Sequence, residues 1–145
     1  MVMISSAQYT QPVRVYHNTR NIISNGKLPE GYTLPFSVYN EIHDILKEDG
    51  YDRGCCDYYK SAEVFKFDVN TLVDIDLYDT NGCKMDATII ASGYFTESAW
   101  QEWNTGAWNT STWEVSFSNL SLFILDDDEN EIELPIDMRT LELMF

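Results

Sequence analysis

Basic residues are scarce in this sequence. Only 9 Lys and Arg stand against 24 Asp and Glu, which gives a net charge of −15 at pH 7 and a pI near 4.2. Between Lys84 and Arg139 there is no Lys or Arg at all. Such an excess of negative charge argues against direct binding to nucleic acid or to an anionic membrane, and it favours either solubility alone or a basic protein partner.

Long apolar runs and cysteine pairs are also missing. No apolar stretch approaches the roughly 18 residues that cross a bilayer, and the start, MVMISSAQYTQPVRV, has no basic leader region. The three cysteines are an odd number, and the adjacent Cys55 and Cys56 bridge only with strain. We therefore expect a cytoplasmic protein with reduced thiols. Residues 1–145 are expected to form a single domain, since this length can bury one sizeable core.

Local signatures of catalysis and metal binding are absent too. The sequence has two histidines and no G-x-S-x-G, H-E-x-x-H or phosphate-cradling glycine loop. The acidic stretches DTNG (79–82) and DDDENEIE (126–133) do not fit the spacing of an EF-hand calcium loop, and the cysteines include no C-x2-C pair for zinc. We therefore predict a non-enzymatic protein with no cofactor and no metal.

The N-terminal part of the chain has a mixed pattern. PVRVYHN (12–18) alternates like a short strand, and ISNGKLPEGYTLP (23–35) is typical of a loop. GCCDYYKSAEVFKFD (54–68) is compatible with a short helix or with an irregular stretch that leads into a strand. The pattern in this part predicts few long elements apart from one helix.

That helix is predicted over FSVYNEIHDILKEDG (36–50), between Pro35 and Gly50. Proline just before a helix and glycine just after it are common boundary residues. The apolar residues of this segment recur at helical spacing and share one face, which we expect to pack on a sheet. They are Val38, Ile42, Ile45 and Leu46.

From residue 69 onward the pattern is that of β-strands. Residues 71–95 form two alternating runs joined by Asn81-Gly82, a dipeptide that favours a type I′ hairpin turn. Residues 113–136 form two more runs, and the apolar register slips in the first of them, which predicts a bulge near Asn119. The expected fold is α+β, with an antiparallel meander of about four or five strands packed against the one main helix.

All four tryptophans lie in the stretch AWQEWNTGAWNTSTW. Thr96 suits the N-cap of a short helix that carries Trp100 and Trp103, and the following NTGAWNTST is typical of a loop. Tryptophans often anchor such connections to a core, as we expect for Trp100 and Trp113. Trp108 has small and polar neighbours, so it is the candidate for an exposed anchor that a partner would bury.

Strand alternation assigns the carboxylates to a face. If Val73, Ile75 and Leu77 point to the core, the acidic residues between them point to solvent, and the same reasoning applies to the next strands. Like charges directly opposite each other destabilise a sheet by up to about 1 kcal/mol per pair, so a surface of one sign indicates a function. The predicted partner-binding residues are Trp108 and the acidic residues Asp74, Asp76, Asp86, Glu114, Asp126, Asp127, Asp128, Glu131 and Glu133.

With this surface the chain resembles, as a class, the small acidic phage and mobile-element proteins that block restriction or CRISPR enzymes by mimicking DNA. The resemblance lies in residues 71–136, where DIDLYDTNGCKMDATI and FILDDDENEIELP form successive acidic hairpins. It implies an inhibitor in the host cytoplasm that occupies the basic, nucleic-acid-binding surface of a partner enzyme. A bacterial immunity protein that neutralises a cationic nuclease toxin would use the same physics, and the sequence leaves that alternative open.

A second resemblance implies an enzyme. VYHNT (15–19) is similar to the Tyr-His-Gly-Thr strand of ADP-ribosyltransferases, and GYFTESAWQEW (93–103) is similar to their segment in which a tyrosine precedes a helix. The resemblance implies that His17 holds the nicotinamide ribose and that Tyr94 stacks on the nicotinamide ring. Asn18 replaces the glycine of that pattern, and no single Glu takes the catalytic position. The alternative reading makes His17 a strand-end residue and Tyr94 a partly buried sheet residue.

Overall fold

The central feature of the fold is a curled, mixed β-sheet. The structure is a computed structural model that describes residues 21–57, 62–101, 104–126 and 128–145. Its strands are β1 (Asn21–Ile22), β2 (Cys55–Asp57), β3 (Ala62–Tyr78), β4 (Lys84–Gln101), β5 (Trp108–Leu125) and β6 (Glu131–Glu133). They lie in the order β1-β3-β4-β5-β6, and β2 shares one edge of β3 with β1, so six strands fill five positions across the sheet.

The α+β class predicted from the sequence is confirmed, but the sheet is not a simple meander. β3, β4, β5 and β6 pair antiparallel in succession, whereas β1 pairs with β3 in parallel. The sheet also curls into a half-barrel. The described helices are α1 (Phe36–Arg53) and the five-residue α2 (Met138–Glu142), and neither is long and apolar enough to cross a membrane.

Helix α1 begins after Pro35, as predicted, but it continues through Gly50 and ends at Arg53, with Gly54 as its C-cap. Gly50 is buried against the ring of Phe95, and a side chain at position 50 would overlap that ring. The glycine therefore lets the helix approach the sheet closely and is not a stop signal. The predicted apolar face is confirmed, with Ile45 partly buried and with three residues fully in the core, Val38, Ile42 and Leu46.

The described residues of the tryptophan stretch belong to a β-hairpin, and the short helix predicted after Thr96 is wrong. Residues 96–101 continue β4, and β5 begins at Trp108, which lies opposite Gln101. Pairing with β5 satisfies the backbone amides and carbonyls of this segment, so tertiary pairing overrides the local helix signal.

Among the tryptophans, Trp113 is partly buried, as predicted. Its indole stacks on Phe95 with ring centroids 5.4 Å apart, and Phe95 in turn stacks on Phe65 at 5.1 Å. Lys47 of α1 places its Nζ 4.7 Å from the Trp113 ring, a distance at which a cation is attracted to the ring face. Trp103 and the side chains of Trp100 and Trp108 lie outside the described residues, so the predicted exposure of Trp108 remains a prediction.

A β-bulge bends the sheet near its middle. Ser92 pairs with Asn119 whereas Gly93 pairs with Phe117, so Ser118 is an extra residue on β5. This confirms the bulge predicted near Asn119, and it accounts for the change of inward side chains from odd to even positions along β5. Gly93 has φ 153°, and a side chain there would collide with the backbone of β5.

The core lies between α1 and the inner face of the three long strands. The predicted inward residues Val73, Ile75 and Leu77 are all buried, and the buried apolar residues of the described chain form one cluster. Phe67 and Phe117 meet edge to face at the bulge, with ring centroids 5.5 Å apart. The inner face is thus committed to folding, which leaves the outer face free for another role.

We expect Gly93→Ala to destabilise the protein by about 3 kcal/mol, since the new methyl group meets the β5 backbone and the backbone angle disfavours any side chain. In a chain of this length that corresponds to a fall in Tm of roughly 6–12 °C. Thermal unfolding followed by circular dichroism measures it. Ser116→Ala, at an exposed position on β5 beside the bulge, is the control and should melt close to the natural protein; a similar Tm for both variants would contradict the proposed role of Gly93.

Candidate protein-binding face

The outer face of the sheet carries a group of exposed carboxylates at one end. Asp74 of β3 lies directly opposite Asp86 of β4, and both are exposed. Glu131 and Glu133 of β6 are exposed on the same face, opposite Leu125 and Phe123 of β5. We call this group the acidic face; its members are Asp74, Asp86, Glu131 and Glu133.

One cation touches the edge of this group. Lys84 Nζ lies 2.7 Å from Asp74 Oδ1, and this hydrogen bond, reinforced by the negative charges of Asp74 and Asp86, holds the pKa of Lys84 above its ordinary value. Both side chains of the pair are exposed, so water and salt screen the contact. Since the sequence has no Lys or Arg between Lys84 and Arg139, the acidic face keeps a strong net negative charge.

The other predicted carboxylates do not join the acidic face. Glu114 is exposed, but it pairs with Thr96, eight residues along β4 from Thr88 and its partner Phe123. At about 3.3 Å per residue it lies roughly 26 Å from the row of Phe123. Asp127 lies outside the described residues. The predicted surface is therefore more compact than the list of acidic residues suggested.

Asp76 points outward, as expected, but it is partly buried and has partners within the chain. Its carboxylate accepts hydrogen bonds from the Tyr32 hydroxyl and the Asn21 side-chain amide, both at 2.7 Å. Burial, the hydrogen bond to Asp76 and the negative charge of Asp76 all raise the pKa of Tyr32. Asp76 thus fastens the loop before α1 to the edge of the sheet.

Asp126 and Asp79 close the two hairpin turns in the same way. Asp79 Oδ1 accepts hydrogen bonds from the amides of Asn81 and Cys83 at 2.8 and 2.9 Å. Asp126 Oδ1 accepts equivalent bonds from the second and fourth residues after it, at 2.9 and 2.8 Å. The fourth residue of each turn has a positive φ, 84° at Gly82 and 62° at Glu129, whereas Asn81 does not. The predicted type I′ turn is therefore wrong, because an aspartate side chain organises a longer turn.

These two turns meet in a cleft of about 210 Å³ at the end of the sheet. Asp79, Asp126 and Asp128 line it together with Gly26 of the preceding loop. Among the described residues, no group of three or more His, Cys, Asp or Glu side chains has an arrangement that could hold a metal ion. The carboxylates of Asp79 and Asp126 accept hydrogen bonds from backbone amides. Their role in this cleft is therefore to shape the two turns.

An apolar strip that the sequence interpretation missed runs beside the acidic face. Leu72, Thr88, Phe123 and Glu133 are successive partners in one row across four strands. Leu72 and Leu125 are 62% and 48% exposed, which is unusual for leucines in the middle or at the end of a long strand. We define the apolar strip as Leu72, Ile90, Phe123 and Leu125. The same alternation that turns Val73 and Ile124 inward could have identified three of them, namely Leu72, Phe123 and Leu125.

Tyr94, one of the residues that resemble an ADP-ribosyltransferase, is separated from this face. Tyr94 is 46% exposed and lines a cleft of about 410 Å³ on the outer side of the bulge, together with Lys66 and Ser116. The helix expected after it is absent from the described residues, since β4 continues to Gln101. His17 lies outside the described residues.

Comparison with known proteins gives no match to a family model, to a curated protein or to a solved structure, so only the geometry and charge of the face indicate its function.

We expect Tyr32→Phe to destabilise the protein by about 1 kcal/mol at pH 8, because Asp76 loses a hydrogen bond. The folded state holds the Tyr32 pKa above the ordinary value of about 10, so this contribution is complete below pH 10 and is lost as the pH rises further. Denaturant unfolding at pH 8, 9, 10 and 11 should show the difference between the two proteins shrinking above pH 10. Tyr94→Phe, at an exposed position, is the control; a difference that grows with pH would contradict the assignment.

Proposed function

We propose that the protein is a non-enzymatic inhibitor whose acidic face binds a basic, nucleic-acid-binding surface of a partner protein. The observation that supports this most is the direct cross-strand pair of exposed carboxylates, Asp74 opposite Asp86. Such a pair destabilises an isolated sheet, the exposed Lys84 offsets this repulsion only in part, and Lys or Arg side chains of a partner would convert the rest into attraction. The expected partner is therefore a protein with a cationic groove.

The fixed and close placement of the carboxylates on the sheet supports mimicry of a polyanion. Charges on neighbouring strands are about 4.8 Å apart, and charges two residues apart on one strand are about 6.7 Å apart. Duplex DNA carries one phosphate charge per roughly 1.7 Å of its axis, and its binding proteins hold Lys and Arg against those phosphates. An acidic face fixed on a sheet would compete for the same groups. Restriction and CRISPR enzymes in the cytoplasm are the proposed targets.

The apolar strip favours a second candidate, a bacterial immunity protein that neutralises a cationic nuclease toxin. A surface that only imitates phosphates does not need exposed side chains such as Leu72 and Leu125. Protein–protein interfaces, in contrast, combine apolar anchors at the centre with a charged rim. Both candidates use the acidic face, and they differ in whether the partner surface has an apolar pocket beside its cationic groups.

Charge reversal tests the acidic face. We expect Asp86→Lys with Glu131→Lys and Glu133→Lys to weaken partner binding by roughly tenfold to a hundredfold at low salt and to abolish competition by duplex DNA. The partner is captured from cell lysate on the immobilised protein, identified by mass spectrometry and then titrated at 50 and 200 mM salt. For the natural protein, binding should weaken as salt rises, and duplex DNA should displace it.

The matched control reverses three exposed carboxylates along α1, Asp44→Lys with Glu48→Lys and Asp52→Lys. It changes the net charge by the same amount on the other side of the sheet, so it should bind nearly as the natural protein does. Equal losses in both triple variants would show that net charge alone matters and would sink the proposed site. Binding that neither salt nor DNA affects would exclude DNA mimicry.

Truncation of the apolar strip tests its part in the interface. We expect Leu72→Ser with Leu125→Ser to weaken the binding of the identified partner by about tenfold to a hundredfold, as loss of a buried anchor does. The salt dependence should stay the same because no charge changes. Leu143→Ser, at a 70% exposed position near the C-terminus, is the control. An unchanged dissociation constant would mean that the carboxylates act without apolar anchors.

A further inference from the structure

The cleft of about 410 Å³ on the outer side of the bulge contains two of the few basic residues of the chain. Lys66 of β3 lines it, and so does Arg53, in the last turn of α1. The chain has only 9 Lys and Arg against 24 Asp and Glu, so carboxylates would be the expected charged lining of a cleft in this protein. We call it the bulge cleft, and its composition indicates a role other than that of the acidic face.

The polar side chains of the bulge cleft form two rows across the sheet. Lys66, Tyr94 and Ser116 are successive cross-strand partners in the first row, on β3, β4 and β5. Asp68 lies opposite Ser92 in the second row. The rows are about 6.7 Å apart and neighbouring strands are about 4.8 Å apart, so these groups together cover an area suited to one small ring-shaped ligand.

The bulge adds a further hydroxyl group to the second row. Ser118 is the extra residue of β5, and its Oγ lies 3.1 Å from Ser92 Oγ, so the two hydroxyls share a hydrogen bond. A hydroxyl that makes one such bond can still accept or donate another. β-Bulges commonly redirect side chains next to binding sites. The irregularity that bends the sheet therefore also brings hydroxyl groups together in this cleft.

The charges at the bulge cleft are balanced. Arg53 Nε is paired with Asp49 Oδ2 at 2.9 Å, and Asp68 lines the cleft together with Lys66. Within the described chain Lys66 forms no ion pair, so its ammonium group has hydrogen bonds left to donate. Because each cation has a carboxylate close by and the chain carries a net charge of −15, the cleft does not favour a free anion.

Neutral hydroxyl groups suit this lining better than an ion does. Lysine only donates hydrogen bonds, an ionised aspartate only accepts them and serine does both, so Lys66, Asp68 and Ser116 together suit a ligand with several groups that donate and accept. Tyr94, which is 46% exposed, adds an aromatic ring to the first row. The negative face of an aromatic ring attracts weakly positive C–H groups, and a sugar ring presents such groups on one face.

We propose that the bulge cleft binds a neutral pyranose sugar, with its C–H face on the Tyr94 ring and its hydroxyl groups on Lys66, Asp68 and Ser116. The volume of about 410 Å³ lies within the roughly 300–1,000 Å³ of small-molecule sites. Lys66 and Asp74 are eight residues apart on β3, so the sugar site is about 26 Å from the acidic face. The site is separate and does not depend on the function proposed for the acidic face.

Titration of the isotopically labelled full-length protein, followed through the NMR shifts of its backbone amides, tests the site. The probes are glucose, galactose, mannose and N-acetylglucosamine, each up to about 50 mM, because a ligand of this size is expected to bind with a Kd on the order of 1 mM. We expect saturable shifts with at least one sugar for the amides of Lys66, Tyr94 and Ser116, whereas those of Asp74 and Asp86 should not move. The absence of a saturable shift with all of these sugars would overturn the proposal.

Two matched pairs of variants identify the contacts. Tyr94→Ala should weaken binding of the sugar by at least about tenfold, whereas Tyr94→Phe keeps the ring and should stay within about threefold. Lys66→Met should weaken binding by about threefold to tenfold through loss of a donor, whereas Lys27→Met, at an exposed position in the loop before α1, should not. Equal affinities of Tyr94→Ala and the natural protein would overturn the proposal, since the ring contact would then contribute nothing.

Inorganic phosphate distinguishes a sugar from an anion as the occupant. At the same concentrations and at constant ionic strength, phosphate should cause no saturable shift of the amides of Lys66, Tyr94 and Ser116, because the carboxylate of Asp68 lines the same cleft. A saturable shift with phosphate and none with the sugars would make the bulge cleft an anion site and would overturn the proposal.

Discussion

The bend at Gly93 is the constraint on which the rest of the structure depends. A strand of 17 residues spans about 56 Å, whereas the 18-residue helix α1 spans only about 27 Å. One helix of this length cannot cover the inner face of a flat sheet built from such strands. The bulge at Ser118 and the absence of a side chain at Gly93 allow the sheet to curl, so that its inner face covers part of itself. Phe67 and Phe117 then meet across the bend, and α1 closes what remains.

Two groups of carboxylates in the described chain have different physical roles. Those of Asp76, Asp79 and Asp126 accept hydrogen bonds from within the chain and help to fix a loop and two turns. Those of the acidic face are exposed, and among them the described structure shows an ion pair only for Asp74, with Lys84, whose positive charge also lies near Asp86. The first group stabilises the fold through these hydrogen bonds. The carboxylates of the second group repel one another and so destabilise the folded state. Binding to a basic partner explains why the chain keeps them.

Strand alternation predicted much of the fold and part of the acidic face. The sequence-based predictions that failed did so for identifiable reasons. Strand alternation predicted the buried side of β3 and the bulge in β5, because a sheet buried on one side imposes a period of two. Helix-boundary signals, in contrast, failed after Thr96, where pairing with β5 decides the structure, and at Gly50, where contact with Phe95 explains a glycine inside a helix. Strand alternation could not find the two hydrogen-bond donors to Asp76, since Tyr32 and Asn21 are 44 and 55 residues away in sequence. Strand alternation could also have predicted the apolar strip, because it places Leu72 and Phe123 on the outer face, but the sequence interpretation did not include it.

The inner face of the three long strands forms the core, and their outer face is exposed. This separation has an evolutionary consequence. Substitutions on the outer face, for example at Asp86 or Leu72, touch few side chains of the core and should leave the stability of the protein nearly unchanged. A lineage can therefore alter its binding surface step by step, without passing through unfolded intermediates, while a target changes its own surface. Gly93 is an exception, because it lines the cleft on the outer face and yet cannot be replaced without a collision with the backbone of β5.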